Sequence, residues 1–85
     1  MKEIKYVIKD ELGIHARPAG LLVKALSGFP GEVRVGTPQK MVDGKRIFGV
    51  MSLGLKCGDE ITLTFDGAGE DETAEKIAMF LVQNL

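Results

Sequence analysis

The stretch GIHARPAGLLVKALSG, residues 13–28, decides how this chain folds. Ala19, Leu22, Val23 and Leu26 fall at i, i+3, i+4 and i+7, which is one apolar stripe of a helix. Gly28 supplies a stop. Pro18 costs little near the start, because an N–H in a first helical turn has no intrahelical acceptor anyway. The spacing predicts a helix over 16–27 that opens at His15. Just upstream the period is two: Ile4, Tyr6 and Ile8 alternate with Lys5, Val7 and Lys9, as in a strand with one buried face. A strand running straight into an amphipathic helix places the chain in a mixed class.

The same two periods recur downstream. Pro30-Gly31 make a turn, then Val33 and Val35 alternate with Glu32, Arg34 and Gly36 as a second strand. Thr37-Pro38-Gln39 turns the chain into a short third strand around Met41-Val42, and so tight a turn implies an antiparallel pair. Residues 47–53, Ile47 to Leu53, are apolar and compact enough for a strand, but Gly54 behind them suits a helix end, which favours a two-turn helix. Ile61, Leu63 and Phe65 alternate with Thr62 and Thr64 as a fourth strand. After the turn Asp66-Gly67-Ala68-Gly69, the acids Glu70, Asp71 and Glu72 suit the positive end of a last helix, with Ala74, Ile77, Ala78 and Leu81 as its buried stripe. The order β-α-β-β-α-β-α gives an α+β fold in two layers, a sheet with helices on one side.

Composition sets the limits. Eighty-five residues make a single domain, 1–85, which hides only about 60–65% of its unfolded surface on folding, so one core must serve every element. Eleven basic against twelve acidic residues give a net charge of −1, which argues against a nucleic-acid binder. No apolar run reaches the roughly 18–20 residues of a membrane span, and the first residues carry charges where a signal peptide would be apolar. One cysteine, Cys57, cannot pair within the chain, which fits a reducing compartment, and the cytosol is the default.

His15 is the only histidine and stands at the expected N-cap of the first helix. The first amides of a helix lack internal acceptors and carry the positive end of the helix dipole. With Pro18 removed as a donor, the free amides of Ala16 and Arg17 point at whatever sits at the helix end, an arrangement suited to an anion. Such a place disfavours a protonated imidazole, so His15 is expected to be neutral and nucleophilic near pH 7. A phosphoryl group on its ring would meet those amides and the guanidinium fork of Arg17. Each charge-assisted hydrogen bond adds about 1.5–3 kcal/mol at most, a depth that suits temporary holding. Neither a metal-ligand cluster nor an acid–base pair accompanies His15, and nothing implies a cofactor, so a partner must complete the chemistry.

The run Gly13-Ile14-His15-Ala16-Arg17-Pro18-Ala19 resembles the active-site signature of HPr, the histidine-containing phosphocarrier family of the bacterial sugar phosphotransferase system. Gly49-Val50-Met51-Ser52-Leu53-Gly54 is similar to the segment around that family's short middle helix, and the resemblance covers the whole chain. It implies an open-faced sandwich, a four-stranded antiparallel sheet with three helices on one face. It also implies that enzyme I, charged from phosphoenolpyruvate, phosphorylates His15 at Nδ1, that enzyme IIA domains accept the group, and that Arg17 is its electrostatic partner. Docking would centre on Ala16 and Gly20 of the first helix with Ile47, Phe48 and Met51 of the second, in a small transient interface below about 1,200 Å². Arg17, Lys24, Lys45 and Arg46 would form a basic rim that steers acidic partners. Ile47 and Met51 are expected to be partly exposed, and Val50 and Leu53 to be core.

Two departures matter. Many members of Gram-positive type carry a serine, phosphorylated by a regulatory kinase, where this chain has Arg46, so that switch is expected to be absent. Arg46 also removes a good N-cap and puts a cation at the positive end of a helix, for which Asp43 or the backbone at Gly44 could compensate. Leu12 replaces a small polar residue found near the histidine in some members. Other classes stay open: a regulatory module of the same fold that binds without transferring, a carrier in a nitrogen or dihydroxyacetone kinase relay, or a small acylphosphatase. The His15–Arg17 pair speaks against the first, and the lack of a glycine-rich arginine loop near the first strand against the last. A monomer is the default.

Overall fold

The structure, a computed structural model, describes residues 1–85. Its elements run β1 (Lys2–Val7), α1 (Ala16–Ser27), β2 (Glu32–Thr37), β3 (Lys40–Asp43), α2 (Ile47–Met51), β4 (Glu60–Asp66) and α3 (Glu70–Asn84). The sheet order is β1-β4-β2-β3, antiparallel throughout. Alternation makes one face apolar. Ile4, Leu63, Val35 and Val42 form a row across all four strands, and Phe65 stands opposite Val33 in the next. The three helices cover that face, as expected for an open-faced sandwich.

One cluster joins the two layers. Ile61, Leu63, Phe65, Val33 and Val35 are closed off from water by Ala19, Leu22 and Leu26 of α1, Val50 of α2, and Ala74, Ile77 and Leu81 of α3. Each large aliphatic group buried this way contributes about 1.5–3 kcal/mol. Phe29, just beyond α1, meets Phe65 edge-on at a centroid distance of 5.8 Å. The helix stripes are narrower than their spacing suggests: Val23 and Ala78 are only half-buried. In α3 the stripe follows Ala74, Ile77 and Leu81 and ends on Leu85, which is itself buried.

The middle helix is shorter than the expected span to Leu53. After Met51 the chain tightens, with Leu53 N–H donating to Val50 O and Gly54 N–H to Met51 O, and Gly54 then takes a φ of +63°. These three-residue bonds end the α geometry early. Leu53 is consequently half-buried at the margin of the core, where full burial was expected. Gly28 stops α1 in ordinary right-handed geometry, with a φ of −75°.

Candidate functional site

The loop between β1 and α1 is held at three points. Ile14 is buried and its N–H donates to Leu55 O at 3.0 Å. Gly13 lies against the same segment with a φ of +66°, and a Cβ there would sit 2.5 Å from Leu55 O and 2.6 Å from Lys56 Cα. Only glycine fits that place. On the other side, the N–H groups of Lys9 and Asp10 both donate to the oxygen of Leu85, at 2.6 and 2.7 Å. Asp10 Oδ1 accepts the Leu12 N–H at 2.9 Å, which closes the turn between these anchors.

His15 therefore arrives at a defined place. It is the N-cap of α1, extended at φ −126° and ψ −174°, and its carbonyl accepts the Ala19 N–H at 3.0 Å. Its half-buried ring makes no capping hydrogen bond, and neither Ala16 nor Arg17 N–H has an acceptor. Arg17 is exposed and forms no ion pair within 4.0 Å, whereas Met1, Lys2, Arg34 and Arg46 all do. Imidazole, two free amides and an unengaged guanidinium thus meet at one helix end. Beside them lies an open depression of about 220 Å³, bordered by His15, Arg17, Pro18 and Leu21 and, from elsewhere in the chain, Asp10, Gln83 and Asn84. This geometry can receive a tetrahedral anion on the ring and bind it from outside.

The expected docking residues divide. Ala16 is exposed, Gly20 half-buried, Ile47 half-buried, Phe48 83% exposed and Met51 36% exposed, and α1 packs against α2. The exposed phenylalanine ring thus stands on a helix that packs against α1. A Cβ on Gly20 would stand 3.5 Å from Ile47 Cδ1, an ordinary contact, so helix packing does not demand glycine there.

Lys24 and Arg46 are exposed and suit a basic rim, but Lys45 does not. Its Nζ turns inward and donates to Phe29 O at 2.6 Å and Gly31 O at 3.0 Å, tying down the turn after α1. The expectation of a free cation at position 45 is corrected, because two main-chain acceptors are within its reach. At Arg46 the compensation comes from Asp43: one carboxylate oxygen accepts the Lys45 N–H at 2.9 Å and the other lies 3.6 Å from Arg46 Nε.

Asp10, Gln83 and Asn84 border the histidine and were absent from the sequence reading. Asp10 sits in a charged turn after a strand, where a solvated side chain is the usual outcome, and the last turn of α3 comes near His15 only through the three-dimensional fold. No sequence signal could have named them. Among the side chains, no group of three His, Cys, Asp or Glu could hold a metal ion.

Residues 2–83 match the sequence model of the family described as the PTS HPr component phosphorylation site. The chain is similar to the phosphocarrier protein HPr of Lysinibacillus sphaericus, at 41% identity over 83 residues, covering 98% of this chain and 94% of that one. The solved HPr of Thermoanaerobacter tengcongensis superimposes with a TM-score of 0.91 at 36% identity, covering 99% of this chain and 94% of that one. A structure of an HPr dimer from the same organism gives a TM-score of 0.75 at 36% identity, covering 98% of this chain and 95% of that one.

Proposed function

The chain belongs to the HPr family of phosphotransferase-system phosphocarriers, which carry rather than catalyse, and on that premise we propose that it accepts a phosphoryl group on His15 from enzyme I and passes it to enzyme IIA domains. One observation carries the assignment to His15: an imidazole without internal partners stands where unsatisfied α1 amides and the unpaired Arg17 converge.

In the transfer, the lone pair of an unprotonated ring nitrogen, Nδ1 by the family resemblance, forms a new N–P bond. The donor's bond to phosphorus breaks as it forms, and that electron pair returns to the donor. Charge on the three phosphoryl oxygens is met by the N–H groups of Ala16 and Arg17 and by the Arg17 guanidinium, all present before the group arrives. The site is open to water, so each contact is worth less than a buried one, and the group remains available for onward transfer. Partners would cover Phe48, Met51, Ile47, Gly20 and Ala16, with Arg17, Lys24 and Arg46 steering an acidic surface. One chain supplies every group named, so a monomer suffices. No helix is long and apolar enough to cross a membrane, in keeping with work in the cytoplasm.

Arg46 supports a carrier outside serine-kinase control, serving sugar uptake or a dedicated relay, for position 46 has no hydroxyl. Ser52, the serine of that segment, donates its hydroxyl to Gly49 O at 2.6 Å at the C-terminal end of α2. Incubation with the kinase and ATP is expected to leave the chain unmodified; phosphate on Ser52 would refute the idea.

The deciding experiment mixes the protein with phosphoenolpyruvate and a trace of enzyme I and reads the intact mass at neutral and acid pH. One acid-labile phosphoryl group is expected, absent in His15→Ala and formed about tenfold more slowly in Arg17→Ala. A stable adduct, or one that survives His15→Ala, ends this reading.

A further inference from the structure

The rim of the His15 depression carries groups of both signs toward a phosphoryl dianion. Asp10 borders the same depression as His15 and Arg17. Its carboxylate has no cation within 4.0 Å, and its only hydrogen bond in the protein is the Leu12 N–H on Oδ1. Arg17 is equally unpaired, and the two form no ion pair with each other. The last turn of α3, bringing Gln83 and Asn84 to the depression, adds the partial negative charge of a helix carboxyl end.

We propose that Asp10 is a poising residue: its unpaired carboxylate, sharing a depression with His15, raises the free energy of the phosphorylated form and keeps the group easy to hand on. This inference rests on His15 as the phosphoryl acceptor. Like charges near a protein surface repel appreciably even through water, and a dianion doubles the effect. Arg17 and the α1 amides oppose it. The phosphorylated state is then held by a balance of two signs, and a carrier that must both receive and release needs neither to dominate. Asp10 is placed for this by its own N–H on Leu85 O, by the Gly13 N–H on its carbonyl and by the Leu12 N–H on Oδ1.

Asp10→Asn is the informative variant, because an amide oxygen can still accept the Leu12 N–H and preserve the turn. Wild type, Asp10→Asn and His15→Ala would be equilibrated with trace enzyme I at fixed ratios of phosphoenolpyruvate to pyruvate, and the phosphorylated fraction read by intact mass at neutral pH. Asp10→Asn is expected to shift the equilibrium about three- to tenfold toward the phosphorylated form. The shift should shrink at 1 M salt, where screening acts over about 3 Å, while the midpoint of thermal unfolding stays that of the wild type. A purely structural Asp10 would move the unfolding midpoint and leave the equilibrium alone. Wild type that is phosphorylated together with an unshifted or oppositely shifted Asp10→Asn overturns the Asp10 role only. Wild type that takes no more phosphate than His15→Ala overturns the carrier reading beneath it.

Discussion

Two helix starts in this molecule look alike and have opposite surroundings. Neither α1 nor α2 has a side-chain cap: His15 and Arg46 both occupy the N-cap in extended geometry without a capping bond. At α2 the Ile47 and Phe48 amides also lack an acceptor, but the protein sets its own carboxylate in front of them in sequence, with Asp43 accepting the Lys45 N–H of the preceding turn and facing the Arg46 guanidinium at 3.6 Å. At α1 it leaves the gap open, with the Ala16 and Arg17 amides and the Arg17 side chain unengaged. A missing cap is therefore informative only together with what surrounds it. Where an internal carboxylate already answers the local cation, the helix start is structural. Where no internal carboxylate answers it and an imidazole stands at the N-cap beside an unpaired guanidinium, an anion from outside is the fitting partner.

The contrast can be broken most severely at Gly13. Gly13→Ala forces a side chain into a positive φ and against Leu55 O, and a loss of about 2–4 kcal/mol is expected in urea unfolding. If stability falls by less than about 1 kcal/mol, the loop is not anchored as described and the open end of α1 is less well defined. Asp43→Ala next removes the carboxylate in the turn before α2. With one turn hydrogen bond and an exposed ion pair lost, it is expected to cost about 1 kcal/mol in the same measurement while leaving phosphoryl uptake on His15 unchanged. Altered uptake would show the two helix starts to be coupled. The smallest effect lies between them, in the body of α1. Gly20→Ala should stabilise by about 0.5–1 kcal/mol, since the methyl meets Ile47 at ordinary contact distance. Slower transfer at unchanged fold would mark Gly20 as the place where a partner comes close, and unchanged transfer would mark it as merely tolerated.

Helix α1 was readable from end to end, because residues 16–27 keep one period and are bounded by Pro18 near the start and Gly28 at the stop. The helix α2 was readable in kind but not in length: Gly54 does take the left-handed form, yet the chain leaves α geometry after Met51. Alternation in β1, β2 and β4 says which side chains share a face but not which strands are neighbours, so the order β1-β4-β2-β3 had no counterpart in the pattern. At the site, His15 and Arg17 are close in sequence and could be paired by eye. Asp10, Gln83 and Asn84 reach the same depression only after β1 and α3 have packed. Lys45 shows the converse, a residue whose charge suggested the surface and whose long side chain found two carbonyls instead.

The double anchoring of the segment before His15, to Leu55 on one side and to Leu85 on the other, bears on how fast partners exchange their cargo. A tether at each end means that the segment's ordering entropy is already spent during folding, and none is left to lose on encounter. Productive collisions then need only the right mutual orientation, with no conformational step in between. Such rigidity suits a phosphocarrier, for which each encounter can be brief.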